Sequence, residues 1–410
     1  MRLTLLFFFI LMCVHSNAQR VCSGIKYANT NTLKEIRNQS NAVSRDTIRD
    51  EVISIPVVFH VLYNNAIQNI SDAQILSQLQ ILNEDFRRAN ADAVNTPAVF
   101  QTFAADTKIK FCIAKSDELG RPTNGIIRKS TNRAVFSIDD AMKFNATGGD
   151  NVWDCTRYLN IWVCNLGASN LGYATQPGDP IDVDGVVIQY NALGRIGNLQ
   201  ANFNKGRTAT HEVAHWLGLK HLWGDNECGD DHIFDTPQQA TYNNGCPNFP
   251  HMSTCSPNGN GDMFMNFMDY SNDACMNLFT NGQRNAMRSL FALNGPRNSF
   301  LTSIACDSIT ASGASLPTEI TPAVTIAISS KASVRIFPNP VQQDLNIISS
   351  NGYELKGKRI VIISVTGKKV ISTTLVSDQS KINLSNLSSG VYFLEIEGDT
   401  DHKSHKIIKL

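Results

Sequence analysis

His211-Glu212-Val213-Ala214-His215-Trp216-Leu217-Gly218-Leu219-Lys220-His221 is the stretch on which the fold turns. Read as a helix, it places His211 and His215 at i and i+4, so both imidazoles leave the same face and reach one metal ion. Glu212 follows the first histidine and stands beside that ion, where a carboxylate can take a proton from a water. Gly218 can adopt positive φ without a steric penalty, turn the chain out of the helix and bring His221 back as a third ligand. Three nitrogens and one open position describe a catalytic zinc site. The competing readings are weaker. A closed structural site would want a fourth protein ligand, usually Cys, and has no use for Glu212. A surface helix with incidental histidines does not account for the glycine and the third histidine at these offsets.

The eleven residues match the extended zinc signature of metzincin metalloproteases, a class that also carries a methionine-containing turn downstream. Met265-Asn266-Phe267-Met268-Asp269-Tyr270 supplies one, followed by Cys275-Met276 and Phe279-Thr280-x-Gly282-Gln283. Together these resemble the pappalysin family of metzincins over residues 50–295. The resemblance implies that Met268 forms an apolar floor under the metal, with Met265 as the alternative register. It implies that Tyr270 stabilises the oxyanion, and that Cys228 pairs with Cys255 and Cys246 with Cys275. By themselves, four cysteines allow three connectivities.

With 410 residues the chain can hold two or three domains, and 42% hydrophobic with 18% charged residues is ordinary globular composition. The formal net charge is zero, which gives no reason to expect nucleic acid or an anionic membrane as partner. Arg2, the apolar run 3–14 and Ser16-Asn17-Ala18 read as a secretory signal, residues 1–18, and no other stretch is long enough to span a membrane. Of the ten cysteines, Cys13 lies in that signal. The odd number left means that at least one thiol has no partner within the chain, and export makes disulfides the expected state for the rest.

Residues 19–50 are polar and read as a propeptide. Cys22 is a candidate latency thiolate for the fourth zinc position, and Arg45 and Arg49 are candidate activation points. Strands are expected at 52–63, 109–114, 125–129, 158–164 and 185–190. His60 within the first reads as a strand residue rather than a ligand. Ser71-Asp72-Ala73-Gln74 is a capping-box pattern opening a helix with Ile75, Leu79, Leu82 and Phe86 on one stripe. Leu171-Gly172-Tyr173-Ala174 is the expected upper rim of a cleft, by resemblance. Asp179, Asp182 and Asp184 read as a solvated acidic loop. Asp225, Asp230, Asp231 and Asp235 follow the zinc motif among glycines. Within that run Asp231, Asp235 and Thr236 are candidate Ca²⁺ ligands, although no EF-hand spacing is present. Asp273 is a candidate specificity carboxylate. A last helix is expected over 281–293.

Residues 306–332 read as a linker. From 333 to 410 short alternating strands with Gly and Asn turns indicate a small sandwich. Phe337-Pro338-Asn339-Pro340, Thr366-Gly367-Lys368 and Leu387-Ser388-Ser389-Gly390-Val391-Tyr392 resemble the C-terminal sorting domain of type IX secretion cargo. The expected architecture is an α/β (α+β) metzincin-like zincin catalytic domain over 51–305, with a twisted sheet and an active-site helix, followed by a small all-β sandwich. The expected function is a secreted zinc endopeptidase acting on proteins or peptides, with the type IX machinery as its export partner. The alternative is a surface-displayed binding or adhesion protein whose zinc is not catalytic.

Overall fold

A computed structural model describes residues 51–255, 259–307, 333–337, 341–350, 354–377, 379–396 and 405–410. The signal, the propeptide with Cys22, Arg45 and Arg49, and residues 308–332 of the linker lie outside the described residues. The chain divides into two units, 1–312 and 313–410.

The first unit is built around β1 (Ile53–Tyr63). Its lower half pairs in parallel with β2 (Ile109–Ile113) and its upper half, on the same side, with β3 (Ile126–Ser130). Its other side pairs in parallel with β4 (Leu159–Cys164). β5 (Gly172–Ala174) and β6 (Val186–Gln189) complete the sheet in the order β2-β1-β4-β6-β5, with β5 antiparallel at the edge. β1 reads as a nearly unbroken apolar run because both of its faces are covered, as parallel strands require. Ile53, Ile55, Val57, Phe59 and Val61 face the main core, while Leu62 and Val58 enter separate clusters on the opposite face.

α1 (Asp72–Phe86) starts where the sequence marks it, with the Ser71 hydroxyl accepting from Gln74 N. It buries Ile75, Leu82 and Phe86 against the sheet. Its polar flank holds α2 (Arg207–Trp216), the helix that carries the zinc motif. Gln78 donates to the Gly206 carbonyl at 3.1 Å and accepts from Gly194 N at 2.7 Å. Asp85 accepts from the Thr210 hydroxyl at 2.6 Å and lies 3.1 Å from the Arg207 guanidinium. Burial pushes the Asp85 carboxyl up to about 7, against the pull of Arg207.

α3 (Asn281–Ser289) opens on a full capping box between Thr280 and Gln283 and is shorter than the expected 281–293. The acidic loop before β6 is not simply solvated. Asp184 is buried in a two-pronged pair with Arg297, at 2.7 and 2.8 Å, and accepts from Trp216 Nε1. This pair ties the end of the unit to the zinc helix. Cysteines 228 and 255 are bridged, as are 246 and 275, and a third bridge, Cys112–Cys306, joins β2 to the end of the unit. Among the described residues Cys155 and Cys164 are free.

The second unit is all β. β7 (Ser333–Phe337), β8 (Asp344–Ser350) and β11 (Gln379–Asn383) form one antiparallel sheet. β9 (Arg359–Ser364), β10 (Lys369–Thr374), β12 (Gly390–Ile396) and β13 (His405–Lys409) form the other. Leu345 and Ile347 from the first sheet share one core with Ile360, Ile362, Leu394 and Ile407 from the second. No described helix is long and apolar enough to cross a membrane.

Candidate active site

All ten residues of α2 are buried. Gly206 at its start adopts φ +72 and offers no capping side chain, so the exposed amides need another acceptor. Asp273 provides it, taking Lys205 N at 2.8 Å and Arg207 N at 3.2 Å on one carboxylate oxygen. A carboxylate at a helix N-terminus is also favoured by the helix dipole. Asp273 thus serves the helix rather than a specificity pocket.

The helix ends in a Schellman turn. Gly218 sits at φ +83, its N–H donates to His215 O, and Leu219 N donates to Ala214 O. The turn does two things at once. It returns the chain so that His221 faces the helix, and it aims the Leu219 carbonyl at His215 Nδ1, 2.8 Å away. The three Nε2 atoms converge at 3.0, 3.0 and 3.3 Å from one another. Around a zinc ion with nitrogen ligands at roughly 2.0–2.1 Å, tetrahedral geometry places ligand atoms about 3.3 Å apart. Among the described residues this is the group of His, Cys, Asp and Glu side chains within ligating reach of a common point.

The tautomers follow from the partners. His211 Nδ1 faces the Phe267 carbonyl at 2.7 Å, His215 Nδ1 faces the Leu219 carbonyl, and His221 Nδ1 faces the Asp225 carboxylate. A carbonyl or carboxylate oxygen can only accept, so each Nδ1 carries the hydrogen and each Nε2 presents a lone pair. Burial, with His221 beside it, pushes the His215 imidazole down to about 3, so it is the neutral, ligating form at pH 7. Three lone pairs aimed at one point with no hydrogen between them suit a cation, and nitrogen donors in this arrangement fit Zn²⁺.

Glu212 is buried and turned toward β5. A methyl group on Gly172 would stand 3.0 Å from Glu212 Cγ and 3.2 Å from its Oε1. Gly172 therefore leaves the room the carboxylate occupies. Met268 is fully buried in the same core cluster as Val213 and Ala214. The Tyr270 ring lies 4.8 Å from that of His221 and 5.7 Å from that of His211. Trp223 stacks on His221 at 4.5 Å, and Tyr242 packs 5.4 Å from Tyr270.

Of the candidate calcium ligands, Asp231 and Thr236 meet, while Asp235 is engaged elsewhere. Asp235 is committed to the start of α3, accepting from the Thr280 hydroxyl at 2.7 Å and Gly282 N at 2.8 Å. Thr236 donates to Asp231, whose carboxylate also accepts from Ile233 N. Asp231 and Thr236 border a recess of about 240 Å³ from which Asp235 is absent. Asp225, read as part of the same acidic run, belongs to His221 instead. No sequence signal marked Trp223 or Tyr242, or the role of Asp225, because each reaches the site through loops whose path no local pattern fixes.

Two family descriptions match the chain. Peptidase M43, described as pregnancy-associated plasma protein-A, matches residues 145–292, and a secretion system C-terminal sorting domain matches residues 335–410. The chain is 30% identical over 263 residues to an extracellular metalloprotease of Arthroderma benhamiae, covering 62% of this chain and 83% of that one. It is 32% identical over 253 residues to an extracellular metalloprotease of Verticillium alfalfae, covering 58% and 78%. It resembles the solved structure of mature mirolysin from Tannerella forsythia in complex with a cleaved peptide, with 53% identity, a TM-score of 0.61, and coverage of 62% of this chain and 96% of that one. A promirolysin mutant from the same organism is 51% identical, with a TM-score of 0.64 and coverage of 66% and 91%.

Proposed function

We propose the following division of labour on the premise that this chain belongs to the pappalysin family of metalloproteases and is a secreted zinc metalloendopeptidase. His211, His215 and His221 hold the zinc. When bound, zinc lowers the pKa of a water and polarises the scissile carbonyl. The Glu212 carboxylate takes the proton from the attacking water and passes it to the nitrogen of the leaving amine. Tyr270, beside His221, donates its hydroxyl hydrogen to the oxyanion. Met268 supplies an apolar floor and exchanges no proton. β5, at the edge of the sheet, offers its outer main-chain groups to an extended substrate. The mirolysin relative was solved with a cleaved peptide, which supports an endopeptidase reading for this site.

The observation that carries the proposal is the convergence of three Nε2 lone pairs, each enforced by an acceptor at Nδ1. A surface binding protein with an inert zinc is not favoured, since the matched relatives are metalloproteases and Glu212 stands beside the triad. Zinc is the metal we assign. Calcium at Asp231 and Thr236 has only their shared recess in its support, and Asp235 is engaged elsewhere. For the remaining chain we propose a signal over 1–18, a propeptide over 19–50 in which Cys22 confers latency, a catalytic domain over 51–305, a linker over 306–332 and a type IX sorting domain over 333–410. The division near residue 312 and the two family matches support this order.

The test is cleavage of a mixed peptide library by chain 50–305, freed of the proposed latency segment, and by the same chain carrying Glu212→Ala. Cleavage that a chelator abolishes, that zinc restores and that the variant lacks is the expected result. Equal cleavage by both proteins would refute the role given to Glu212.

A further inference from the structure

We infer that Gln283, acting through Asn266, is a positioning residue for the metal site: their paired amides fix the peptide whose carbonyl orients His211. The inference rests on the zinc reading above and adds residues that lie outside the ligand set.

Both side chains are fully buried. Asn266 Nδ2 donates to Gln283 Oε1 at 2.9 Å, and Gln283 Nε2 donates back to Asn266 Oδ1 at 3.0 Å. The ring would survive flipping both amides together, so it is the main-chain donors at its two oxygens that determine which end of each amide is oxygen. Each oxygen has a second lone pair, and both are used on main chain. Gln283 Oε1 accepts from Thr280 N at 2.9 Å, and Asn266 Oδ1 accepts from Met268 N at 2.9 Å.

The last of these bonds reaches the metal site. The Met268 N–H and the Phe267 carbonyl are opposite ends of one peptide group, and that group is planar. Holding the N–H on Asn266 Oδ1 therefore aims the carbonyl, which accepts from His211 Nδ1 at 2.7 Å. Accepting at one end of a peptide while donating at the other also strengthens both bonds through polarisation. The preceding amide is fixed as well, since Phe267 N donates to Leu278 O at 3.0 Å.

The far side of the pair is anchored too. Thr280 donates its hydroxyl hydrogen to Asp235 and accepts from Gln283 N, and Gly282 N donates to Asp235. A Cβ on Gly282 would lie 2.4 Å from Asp235 Oδ1, so this position has no space for a side chain. Thr280-x-Gly282-Gln283 is thus a bracket. One end grips the acidic loop after His221, and the other sets the turn under His211.

The test uses the full chain and its Gln283→Ala and Gln283→Glu variants. Gln283→Glu keeps the shape but places a carboxylate oxygen against Asn266 Oδ1. Asn83→Ala is the control, because Asn83 is a structural amide whose side-chain hydrogen bonds link Leu79 of α1 to Phe111 of β2 rather than to the turn. Zinc affinity is read by chelator competition, and ligand geometry by the visible absorption of the Co²⁺-loaded protein. Outer partners of metal-bound histidines are worth about 10- to 100-fold in affinity. The expected result is a loss of about tenfold in both Gln283 variants with an altered Co²⁺ spectrum, and neither change in Asn83→Ala. Should Gln283→Ala fail to fold, Gln283→Glu decides alone. Wild-type affinity and spectrum in a Gln283 variant that merely melts earlier would overturn the inference. A wild-type chain that bound no metal would instead overturn the zinc reading beneath it.

Discussion

Of the three acceptors that orient the zinc histidines, two are main-chain carbonyls and one is a side chain. Asp225 is therefore the one direct acceptor that a side-chain substitution can remove. Asp225→Asn is a clean change. The residue sits at φ +62, a left-handed conformation that Asn tolerates, and the amide oxygen can still accept from His221 Nδ1. Only the charge is lost. Bonds to ionised acceptors are roughly twice as strong as neutral ones, but the Asp225 side chain is 38% exposed and solvent screens part of the difference. The low end of the range for such partners applies, about tenfold in zinc affinity, or about 1.4 kcal/mol. Asp225→Ala removes the acceptor as well and should reach the upper end, about a hundredfold. Competition against a chromophoric chelator at fixed pH measures both. Saturating zinc should restore most of the turnover in Asp225→Asn. Zinc bound as tightly by both variants as by the wild type would show that the Asp225 contact does not hold His221. A loss of about a thousandfold or more in Asp225→Asn would make the carboxylate more than an orienting group.

Two further outcomes follow from packing and burial. Gly172→Ala places a Cβ 2.8 Å from the Val187 carbonyl oxygen and 3.0 Å from Glu212 Cγ, so β5 and the carboxylate must part by some tenths of an ångström. Turnover should fall about tenfold or more while zinc affinity stays at the wild-type value, and unchanged turnover would show that Glu212 does not work from this position. Burial pushes the Asp269 carboxyl up to about 6, against donors from Asn243, Gln239 and Tyr270. Its folded pKa lies above the unfolded value of 3.8, so its contribution to stability is complete below pH 3.8 and is lost as pH rises toward 6. Asp269→Asn removes that slope but turns an amide N–H toward donors, so it destabilises at every pH. The gap between wild type and variant should narrow by roughly 2 kcal/mol from pH 4 to 6.5, and a constant gap in chemical unfolding would refute the assignment.

The parts of this molecule that could be read in advance are those with local rules. The i, i+4 spacing, the helix stop at Gly218 and the Ser71 cap each depend on residues within one or two turns, and each is where the sequence puts it. β1 was legible as a strand, but the cover over its second face comes from segments with no α-helical period, Phe136, Met142 and Ala305 among them. Errors gathered where one residue type serves several ends. An aspartate in a glycine-rich loop looks like a calcium ligand whether it orients a histidine, as Asp225 does, or caps a helix, as Asp235 does, and Asp273, read as a candidate specificity carboxylate, caps a helix too. Asp184, expected in a solvated loop, meets Arg297 across more than one hundred residues of chain, and no local pattern announces such a pair. The motif Thr280-x-Gly282-Gln283 could be recognised by resemblance, yet what its glycine and amide do became readable only once Asp235 and Asn266 stood next to them.

Why the disulfides lie where they do can be argued from the same contacts. The segment after His221 supplies two of the three orienting acceptors, Asp225 and the Phe267 carbonyl, together with Tyr270 and the Asp235 anchor of α3. It contains no described helix or strand between α2 and α3, so regular main-chain pairing contributes little to its order. Bridges Cys228–Cys255 and Cys246–Cys275 overlap within it, closing loops of 27 and 29 residues. In the chain-entropy picture each removes about 3.5 kcal/mol of disorder from the unfolded chain. His211 and His221 acquire their orienting acceptors only when this segment is in place, and its Asp273 also caps α2. Closing these bridges therefore favours the ordered segment on which the site's geometry depends, and their reduction is expected to weaken zinc binding in chelator competition.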